Sequence, residues 1–207
     1  MSETLKAPLI GINRHRLATD GQGVTTLVAF QGCPLRCRYC LNDQCHDPDS
    51  ILRTITPEQL VDELAIDNLY FLATGGGVCF GGGEPLLYSA FIEAFVRVKV
   101  PEWKVIVETS LNVPRHHLER LLPHIDQYYI DIKDCNPEVY RAYTGCDNTQ
   151  VLSNLQWLLS HEGLAQRMVV RLPLIPNHNT ADDVACSRAQ LTHMGAINFD
   201  EFDYIIR

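Results

Sequence analysis

Short apolar runs rich in β-branched residues alternate with helical segments along the chain, and this alternation restricts the possible folds more than any other feature. Six runs predict buried strands, separated by helices of about ten to fifteen residues. The predicted strands are residues 24–30, 78–80, 104–108, 128–132, 168–174 and 201–206. Repeated βα units predict an α/β fold with a parallel sheet, either curled into a closed or partial barrel or open and doubly wound.

The first predicted helix has a defined start. Thr56 is a good N-cap residue, Pro57 stands at the first helical position, and Gln59 completes a capping box. Further helices are predicted for residues 86–98, 114–122, 137–143, 149–160 and 182–193.

Length, charge and hydropathy exclude several classes of protein. The chain has 207 residues, which predicts a single domain over residues 1–207. A net charge of -8 disfavours binding along a nucleic-acid backbone, because the chain has no cationic excess. No stretch reaches the roughly 18 apolar residues of a membrane span, and the first residues lack the apolar core of a secretory signal. We therefore expect a cytoplasmic protein that binds neither nucleic acid nor membranes.

Eight cysteines in such a chain indicate metal binding or catalysis rather than disulfides, since the cytosol keeps thiols reduced. Four of them lie between positions 33 and 45. The other four are scattered, and each is best explained as a small buried apolar residue. The scattered cysteines are Cys79, Cys135, Cys146 and Cys186.

Cys33, Cys37 and Cys40 form a Cys-x3-Cys-x2-Cys motif, the most specific signal in the sequence. Three thiolates in one loop can wrap a compact soft-metal centre. Fully cysteinyl iron–sulfur clusters use four thiolates, so three leave one iron with the open position that catalysis needs. The alternative is a closed zinc knuckle, in which Cys45 or His46 supplies a fourth ligand.

Polar residues lie at the ends of neighbouring predicted strands. The glycine-rich segment 81–85 follows the second strand, Glu108 and Asp131 end the next two, and Arg171 lies in the fifth. Charged groups at buried strand ends are costly unless paired or used, so the carboxyl ends predict one shared polar site. On the glycine-rich turn, backbone N–H groups suit a carboxylate and Glu84 suits an ammonium, which predicts an amino acid zwitterion. The alternative for the glycines is a tight connection without a ligand.

The cysteine motif, with Tyr39 inside it and Gly82-Gly83-Glu84 downstream, resembles the radical S-adenosylmethionine (SAM) superfamily. Within it, the chain is similar to the glycyl radical enzyme activases of the pyruvate formate-lyase activating enzyme type. This narrower resemblance runs from about residue 10 to the end of the chain and is carried by an ordered set of segments. These are residues 20–23, 30–33, 75–78, 129–133, 143–145 and 171–177.

The resemblance implies a partial (βα)6 barrel of the radical SAM type, with parallel strands and outer helices. It implies that Cys33, Cys37 and Cys40 bind a [4Fe–4S] cluster whose open iron is chelated by SAM. A one-electron donor such as flavodoxin or ferredoxin would then drive cleavage of SAM to a 5′-deoxyadenosyl radical. That radical would take a hydrogen from a glycine of a partner glycyl radical enzyme under anaerobic conditions.

The same resemblance assigns the surroundings of SAM. The turn at residues 82–84 would contact the SAM amino group, and Glu108 and Asp131 would hold a monovalent cation, Na⁺ or K⁺, beside the SAM carboxylate. Backbone carbonyls of Thr109 and Tyr129 would complete this cation site. The alternative for several of these charged groups is an internal salt-bridge network. The expected cofactor-binding residues are Tyr39, Gly82, Gly83, Glu84, Glu108, Asp131, Lys133 and Arg171.

The chain departs from the family pattern at several places. Leu41 stands where the best-known activases carry histidine, and Glu108 stands where aspartate is usual. About forty residues separate Cys40 from Gly81, too few for the ferredoxin-like insertion of many activases, which predicts a single cluster. The chain ends at Arg207, where the family continues with a histidine and a closing helix, so we expect a shortened C-terminus.

Two other functions compete with the activase. One is a different radical SAM enzyme that acts on a peptide or small molecule, similar to the 7-carboxy-7-deazaguanine synthases. The other is a non-catalytic metal-binding module that uses the three motif cysteines and Cys45. Segments 143–145 and 173–177 favour the activase.

Overall fold

The computed structural model describes residues 5–17 and 19–206. Eight β-strands and seven α-helices occur in this part of the chain. The strands are β1 (Ala7–Leu17), β2 (Val24–Phe30), β3 (Arg53–Ile55), β4 (Gly77–Gly82), β5 (Lys104–Thr109), β6 (Gln127–Asp131), β7 (Met168–Leu174) and β8 (Phe199–Asp203). The helices are α1 (Pro57–Leu64), α2 (Asn68–Thr74), α3 (Ser89–Val98), α4 (His116–Leu121), α5 (Pro137–Thr144), α6 (Thr149–Leu159) and α7 (Ala181–His193).

All six predicted strands are present, as β2, β4 and the four strands that follow. Parallel pairs join β2 to β4, β4 to β5, β6 to β7 and β7 to β8. The last strand begins earlier than predicted and ends at Asp203. The prediction of an α/β fold with a mostly parallel arrangement of strands is confirmed.

The sequence pattern did not predict β1 and β3, which pair with each other antiparallel, as β1 also does with β2. β1 contains Pro8 and Gly11, two residue types that are unfavourable inside strands. β3 has only three residues, too few for a periodicity to register.

Helix α1 begins as predicted. The Thr56 side chain accepts a hydrogen bond from the Gln59 backbone N–H at 3.2 Å, and the Gln59 side chain accepts one from the Thr56 N–H at 3.0 Å. Farther along, residues 85–88 form a 3₁₀-helix, so the predicted helix over 86–98 becomes α-helical only at Ser89.

The described residues form two compact units, each built from several chain segments. The first unit lies within Met1–Cys33, Asn42–Glu108 and Arg115–Gln127. The second unit lies within Pro34–Leu41, Thr109–Pro114 and Tyr128–Arg207. Arg207, on which the expected C-terminal shortening depends, lies outside the described residues.

In the first unit the strands follow the order β3-β1-β2-β4-β5. Helix α3 covers them with aromatic side chains. The rings of Phe30 and Phe91 lie 5.6 Å apart, and those of Phe80 and Phe95 lie 5.3 Å apart, both edge-to-face. All four side chains are buried, so this aromatic core fixes the carboxyl ends of β2 and β4.

In the second unit β6, β7 and β8 pair in parallel in that order. Helix α6 buries Leu155 and Leu158 on one face. From the same face the buried Asn154 amide donates to the carbonyls of Leu111 and Val113, at 2.9 and 2.8 Å. These bonds satisfy backbone groups that follow β5 and have no strand partner. None of the α-helices in the described segments is long and apolar enough to cross a membrane.

Candidate cofactor site

The turn that follows β4, residues 81–84, is fastened to the end of β2 by backbone hydrogen bonds; we call it the glycine turn. The Gly83 N–H donates to the Phe30 carbonyl at 2.9 Å, and the Glu84 N–H donates to the Gly32 carbonyl at 2.8 Å. In the parallel pair, Phe30 lies opposite Gly82. The glycine turn therefore lies directly against Phe30 and Gly32, in the segment just before Cys33.

Two positions of the glycine turn have no room for a side chain. A Cβ on Gly83 would lie 2.1 Å from the Gly32 carbonyl oxygen, and one on Gly82 would lie 2.6 Å from the Ala29 Cβ. Gly82 also has a φ of 88°, a conformation that side-chain-bearing residues rarely adopt. Close packing of two backbones thus accounts for both glycines, whether or not a ligand approaches them.

Glu84 places a buried carboxylate on the glycine turn. Its side chain is 1% exposed, and Oε1 accepts a hydrogen bond from the Leu86 N–H at 3.2 Å, which caps the short 3₁₀-helix. A carboxylate accepts several hydrogen bonds, and a ligand ammonium is a strong donor to such a group. Glu84 therefore fits the amino end of an amino acid ligand.

Cys33 lies in the first unit, half-buried beside a small apolar cluster. It packs against Ile10, Ala29 and Cys45, and the backbone of Gly32 donates to the Cys45 carbonyl at 2.7 Å. Cys45 is itself buried, at 1% exposed. The structure thus places the cysteine considered as a zinc ligand next to the first residue of the motif.

We call residues 33–40 the cysteine loop. Residues 34–40 of this loop lie in the second unit and are held against the end of α5. The Arg36 N–H donates to the Thr144 carbonyl at 2.8 Å, and the Arg38 N–H donates to the Tyr143 carbonyl at 3.1 Å. This contact gives segment 143–145, noted in the sequence only for its resemblance, a physical role. It fixes the backbone on both sides of Cys37.

Aromatic side chains surround Tyr39, in the middle of the motif. The Tyr204 hydroxyl donates to the Tyr39 carbonyl at 2.8 Å. The His178 ring lies 5.5 Å from that of Tyr39 and 5.0 Å from that of Tyr143. The sequence did not indicate Tyr204 or His178 as neighbours of the loop, because both contacts join residues far apart in the chain.

Lys133 supplies a positive charge near the two cysteines of the second unit. Its side chain is 12% exposed, and Nζ lies 3.7 Å from Asp131 Oδ1. Burial disfavours the ammonium, but Asp131 and the nearby Cys37 outweigh it, so the pKa of Lys133 stands above its usual value. Burial raises the pKa of Cys37 to about 11, while Lys133 acts in the opposite direction.

Arg171 and Tyr129, two of the predicted site residues, contact each other on adjacent strands. The Arg171 guanidinium lies 4.4 Å from the centre of the Tyr129 ring, a cation–π distance. Its Nε lies 3.7 Å from the Asp200 carboxylate, which is half-exposed. Arg171 therefore has a charged partner within its own unit, as the salt-bridge alternative predicts.

The residues expected at the cation site belong to different units. Glu108 belongs to the first unit, where its carboxylate lies 3.8 Å from the Arg16 guanidinium. Thr109, Tyr129 and Asp131 belong to the second unit, and the Thr109 hydroxyl there accepts from the Leu111 N–H at 2.9 Å. Within the second unit, Asp131 is brought together with Lys133.

The donor set of the cysteine loop fits an iron–sulfur cluster. Cys33, Cys37 and Cys40 are reduced thiols, and each is half-buried rather than enclosed, so each can act as a metal ligand. The Lys133 ammonium beside Cys37 opposes part of the effect of burial on the pKa of that thiol, and metal binding would displace the thiol protons. Three sulfur ligands suit a soft metal and leave a fourth position open.

Comparison with protein families agrees with this chemistry. The model of the radical SAM superfamily matches residues 27–185. The chain therefore belongs to the radical SAM superfamily, whose members use a [4Fe–4S] cluster and SAM. It is an enzyme, and this membership favours the cluster over a zinc knuckle.

Curated relatives narrow the class. The chain is 32% identical to the pyruvate formate-lyase-activating enzyme of Staphylococcus aureus (strain USA300), over 79% of this chain and 67% of the relative. It is 27% identical to the indoleacetate decarboxylase activating enzyme of Tractidigestivibacter scatoligenes, over 79% of this chain and 72% of the relative. The predicted resemblance to glycyl radical enzyme activases is confirmed.

Solved structures agree at the level of the fold. Streptococcus suis SuiB, solved bound to S-adenosylmethionine, is similar with a TM-score of 0.62 and 12% sequence identity. The match covers 87% of this chain but only 42% of SuiB. The expected radical SAM type of α/β fold is thereby confirmed.

Proposed function

We propose that this chain activates a glycyl radical enzyme by abstracting a hydrogen from the Cα of one glycine in that partner. When bound, the cluster and SAM supply one-electron cleavage of the sulfonium to a 5′-deoxyadenosyl radical, which is the hydrogen-abstracting species. The observation that carries the proposal is the cysteine loop, with three reduced, half-buried thiols, of which Cys37 and Cys40 lie near the mostly buried Lys133 ammonium. The similarity to activating enzymes supports the choice of a protein glycine as substrate.

In this proposal the chain's own residues bind and orient the cofactors. Cys33, Cys37 and Cys40 hold the cluster, and Tyr204 and segment 143–145 fix the loop that carries two of them. Holding the loop rigidly matters, because a misplacement of about 1 Å between reacting groups can cost about a hundredfold in rate.

The glycine turn binds the amino end of SAM. The backbone bonds to residues 30 and 32 fix the turn relative to Cys33, and the buried Glu84 carboxylate accepts hydrogen bonds from the ammonium. Because Gly82 and Gly83 have no side chains, SAM can approach the backbone of the glycine turn closely. Together with the cysteines that would hold the cluster, the glycine turn would orient SAM.

Lys133 and Arg171 complete the proposed SAM pocket with fixed positive charge. Asp131 and Tyr129 hold these cations in position through the contacts already described. Glu108 and Asp131, with the carbonyls of Thr109 and Tyr129, are the proposed ligands of a monovalent cation beside the SAM carboxylate. A cation there would reduce repulsion among carboxylates.

The partner is proposed by class only. The named relatives serve enzymes of different chemistry, a pyruvate formate-lyase and an indoleacetate decarboxylase among them, so similarity does not select one. A flavodoxin or ferredoxin is the proposed one-electron donor, and the cytoplasm is the proposed location. Activity is expected only without oxygen.

Electron paramagnetic resonance on a candidate partner tests the proposal. The anaerobically reconstituted chain, a reductant and SAM should produce a glycyl radical signal on a glycyl radical enzyme from the same genome, with release of 5′-deoxyadenosine. A partner with the target glycine changed to alanine is the matched control and should give no signal. SAM cleavage that modifies a peptide or small molecule, and leaves every such partner silent, would contradict the proposal in favour of the other radical SAM class.

A further inference from the structure

Three side chains with metal-binding atoms meet inside the first unit, away from the cysteine loop in the sequence. Asp20 precedes β2, Cys79 lies in β4, and Glu108 lies in β5. One ligand atom from each lies within 4.8 Å of the other two. Asp20 and Cys79 are fully buried, and the Glu108 side chain is 16% exposed.

Asp20 has one oxygen that the protein does not satisfy. Its Oδ1 is 3.0 Å from the Arg16 Nε and accepts a hydrogen bond from the Thr19 hydroxyl at 2.5 Å. Its Oδ2 is buried and has no N–H or O–H donor within hydrogen-bonding distance in residues 5–17 and 19–206. The Asp20 carboxylate also interacts with the neighbouring Cys79 thiol. A buried carboxylate oxygen without a donor is costly, so a bound cation would stabilise this atom.

Gly81 makes room for the carboxylate of Glu108. A Cβ on Gly81 would lie 3.1 Å from Glu108 Oε2 and 3.0 Å from the Leu27 side chain. Strand β4 therefore carries a residue without a side chain at the point where Glu108 reaches over it. The backbone is shaped so that this carboxylate can turn toward Asp20 and Cys79.

We propose that Asp20, Cys79 and Glu108 form a second metal site that binds a thiophilic divalent cation, with Zn²⁺ as its typical occupant. Two carboxylates and a thiolate are ligands that Zn²⁺ accepts, and three protein ligands leave a fourth position for water. Ligand atoms around a tetrahedral zinc ion lie roughly 3.3–3.7 Å apart. The three atoms, all within 4.8 Å of one another, would need to move inward only slightly to reach this geometry.

Charge supports this occupant. With the thiol ionised, the three ligands carry three negative charges, which one divalent cation and the Arg16 guanidinium balance in full. Binding would release the thiol proton to solvent and connect the segment before β2 to strands β4 and β5.

The site shares Glu108 with the cation site proposed beside SAM, but its other two ligands, Asp20 and Cys79, and the class of metal are different. It does not depend on the proposed function, since it uses neither the cluster nor a partner. Its test can therefore fail while the activase proposal stands, and the reverse also holds.

Zinc analysis on the reconstituted holoenzyme tests the site, because iron then occupies the three motif cysteines. After equilibration with Zn²⁺ and dialysis, the holoenzyme should retain one zinc per chain beyond its iron. Its zinc X-ray absorption should show one sulfur at about 2.3 Å and oxygens at about 2.0–2.2 Å. No retained zinc, or a zinc shell without sulfur, would overturn the proposal.

Variants decide which residues bind the zinc. Cys79→Ser should remove the sulfur shell, and Asp20→Asn should weaken zinc binding at least about tenfold. Cys135→Ser, which alters another buried cysteine, is the matched control and should bind like the parent. Should Cys79→Ser not fold, Glu108→Gln decides: an affinity loss of at least about tenfold supports the site, and unchanged affinity overturns it.

Discussion

The glycine turn of the first unit and the cysteine loop of the second are held by different kinds of contact. The turn is fixed by backbone bonds to the end of β2 and by the absence of two side chains. The loop is also bonded through its backbone to the end of α5, but a tyrosine hydroxyl, an aromatic cluster and a buried lysine add to it.

This difference predicts how each region responds to substitution. Backbone-to-backbone packing has no flexible atom that can move aside, so a single added methyl group should disrupt it. Contacts made by separate side chains can be removed one at a time, and each should cost a limited amount. The cysteines are the exception, because they are required as ligands whatever holds them.

The largest expected effect comes from substituting the motif cysteines, and it should be the same in both units. Cys33→Ala and Cys37→Ala alter cysteines in different surroundings, yet each should abolish cluster binding and 5′-deoxyadenosine release, because the cluster needs all three thiolates. Iron and sulfide content with product chromatography measure both. Cys186→Ala, at an exposed cysteine, is the control and should match the parent. SAM cleavage that survives Cys37→Ala would refute the ligand assignment.

Gly83→Ala tests the backbone packing of the glycine turn. The new Cβ would lie 2.1 Å from the Gly32 carbonyl, so the turn must move, and we expect a loss of about 3 kcal/mol in the free energy of unfolding. Chemical denaturation measures it. Gly11→Ala is the control, since a Cβ there has nothing within 4 Å, and it should change stability by about 0.5 kcal/mol or less. Equal losses in the two variants would contradict the packing account.

Features that are local in the chain were predictable from sequence. The three motif cysteines lie within one loop, and the strands β2, β4 and β7 are continuous apolar runs, so spacing and periodicity reported them. The cap of α1 was predictable for the same reason, because Thr56 and Gln59 interact across one helical turn.

Features that depend on tertiary packing were not predictable. The bond from Tyr204 to Tyr39 joins residues 165 positions apart, and no local pattern encodes such a pairing. The meeting of Asp20 with Cys79 likewise follows from strand order. The sequence pattern did not indicate β1, because Pro8 and Gly11 are unfavourable inside strands. The strand forms because it pairs with β2 and β3.

Lys133→Met removes a mostly buried ammonium group that lies 3.7 Å from Asp131 and near Cys37. We expect a loss of about 2 kcal/mol in the free energy of unfolding, between the values for exposed and buried pairs. Release of 5′-deoxyadenosine should fall roughly tenfold if Lys133 also orients SAM. The control is Lys104→Met, whose 2.9 Å pair with Asp126 is solvent-exposed, with about 0.5 kcal/mol expected. An effect no larger than the control's would show that burial of the Lys133 pair contributes nothing.

Tyr204→Phe should give the smallest effect, because it removes one hydroxyl and keeps the ring. Losing the 2.8 Å bond to the Tyr39 carbonyl should cost about 1 kcal/mol of stability and leave the cluster in place. Tyr204→Leu also removes the ring contact with Tyr143, 6.3 Å away between centres, and should cost more. Chemical denaturation and the spectrum of the reduced cluster follow both variants. If Tyr204→Phe proves as damaging as Gly83→Ala, the cysteine loop depends on a single contact as strictly as the glycine turn does, and the contrast between the two regions fails.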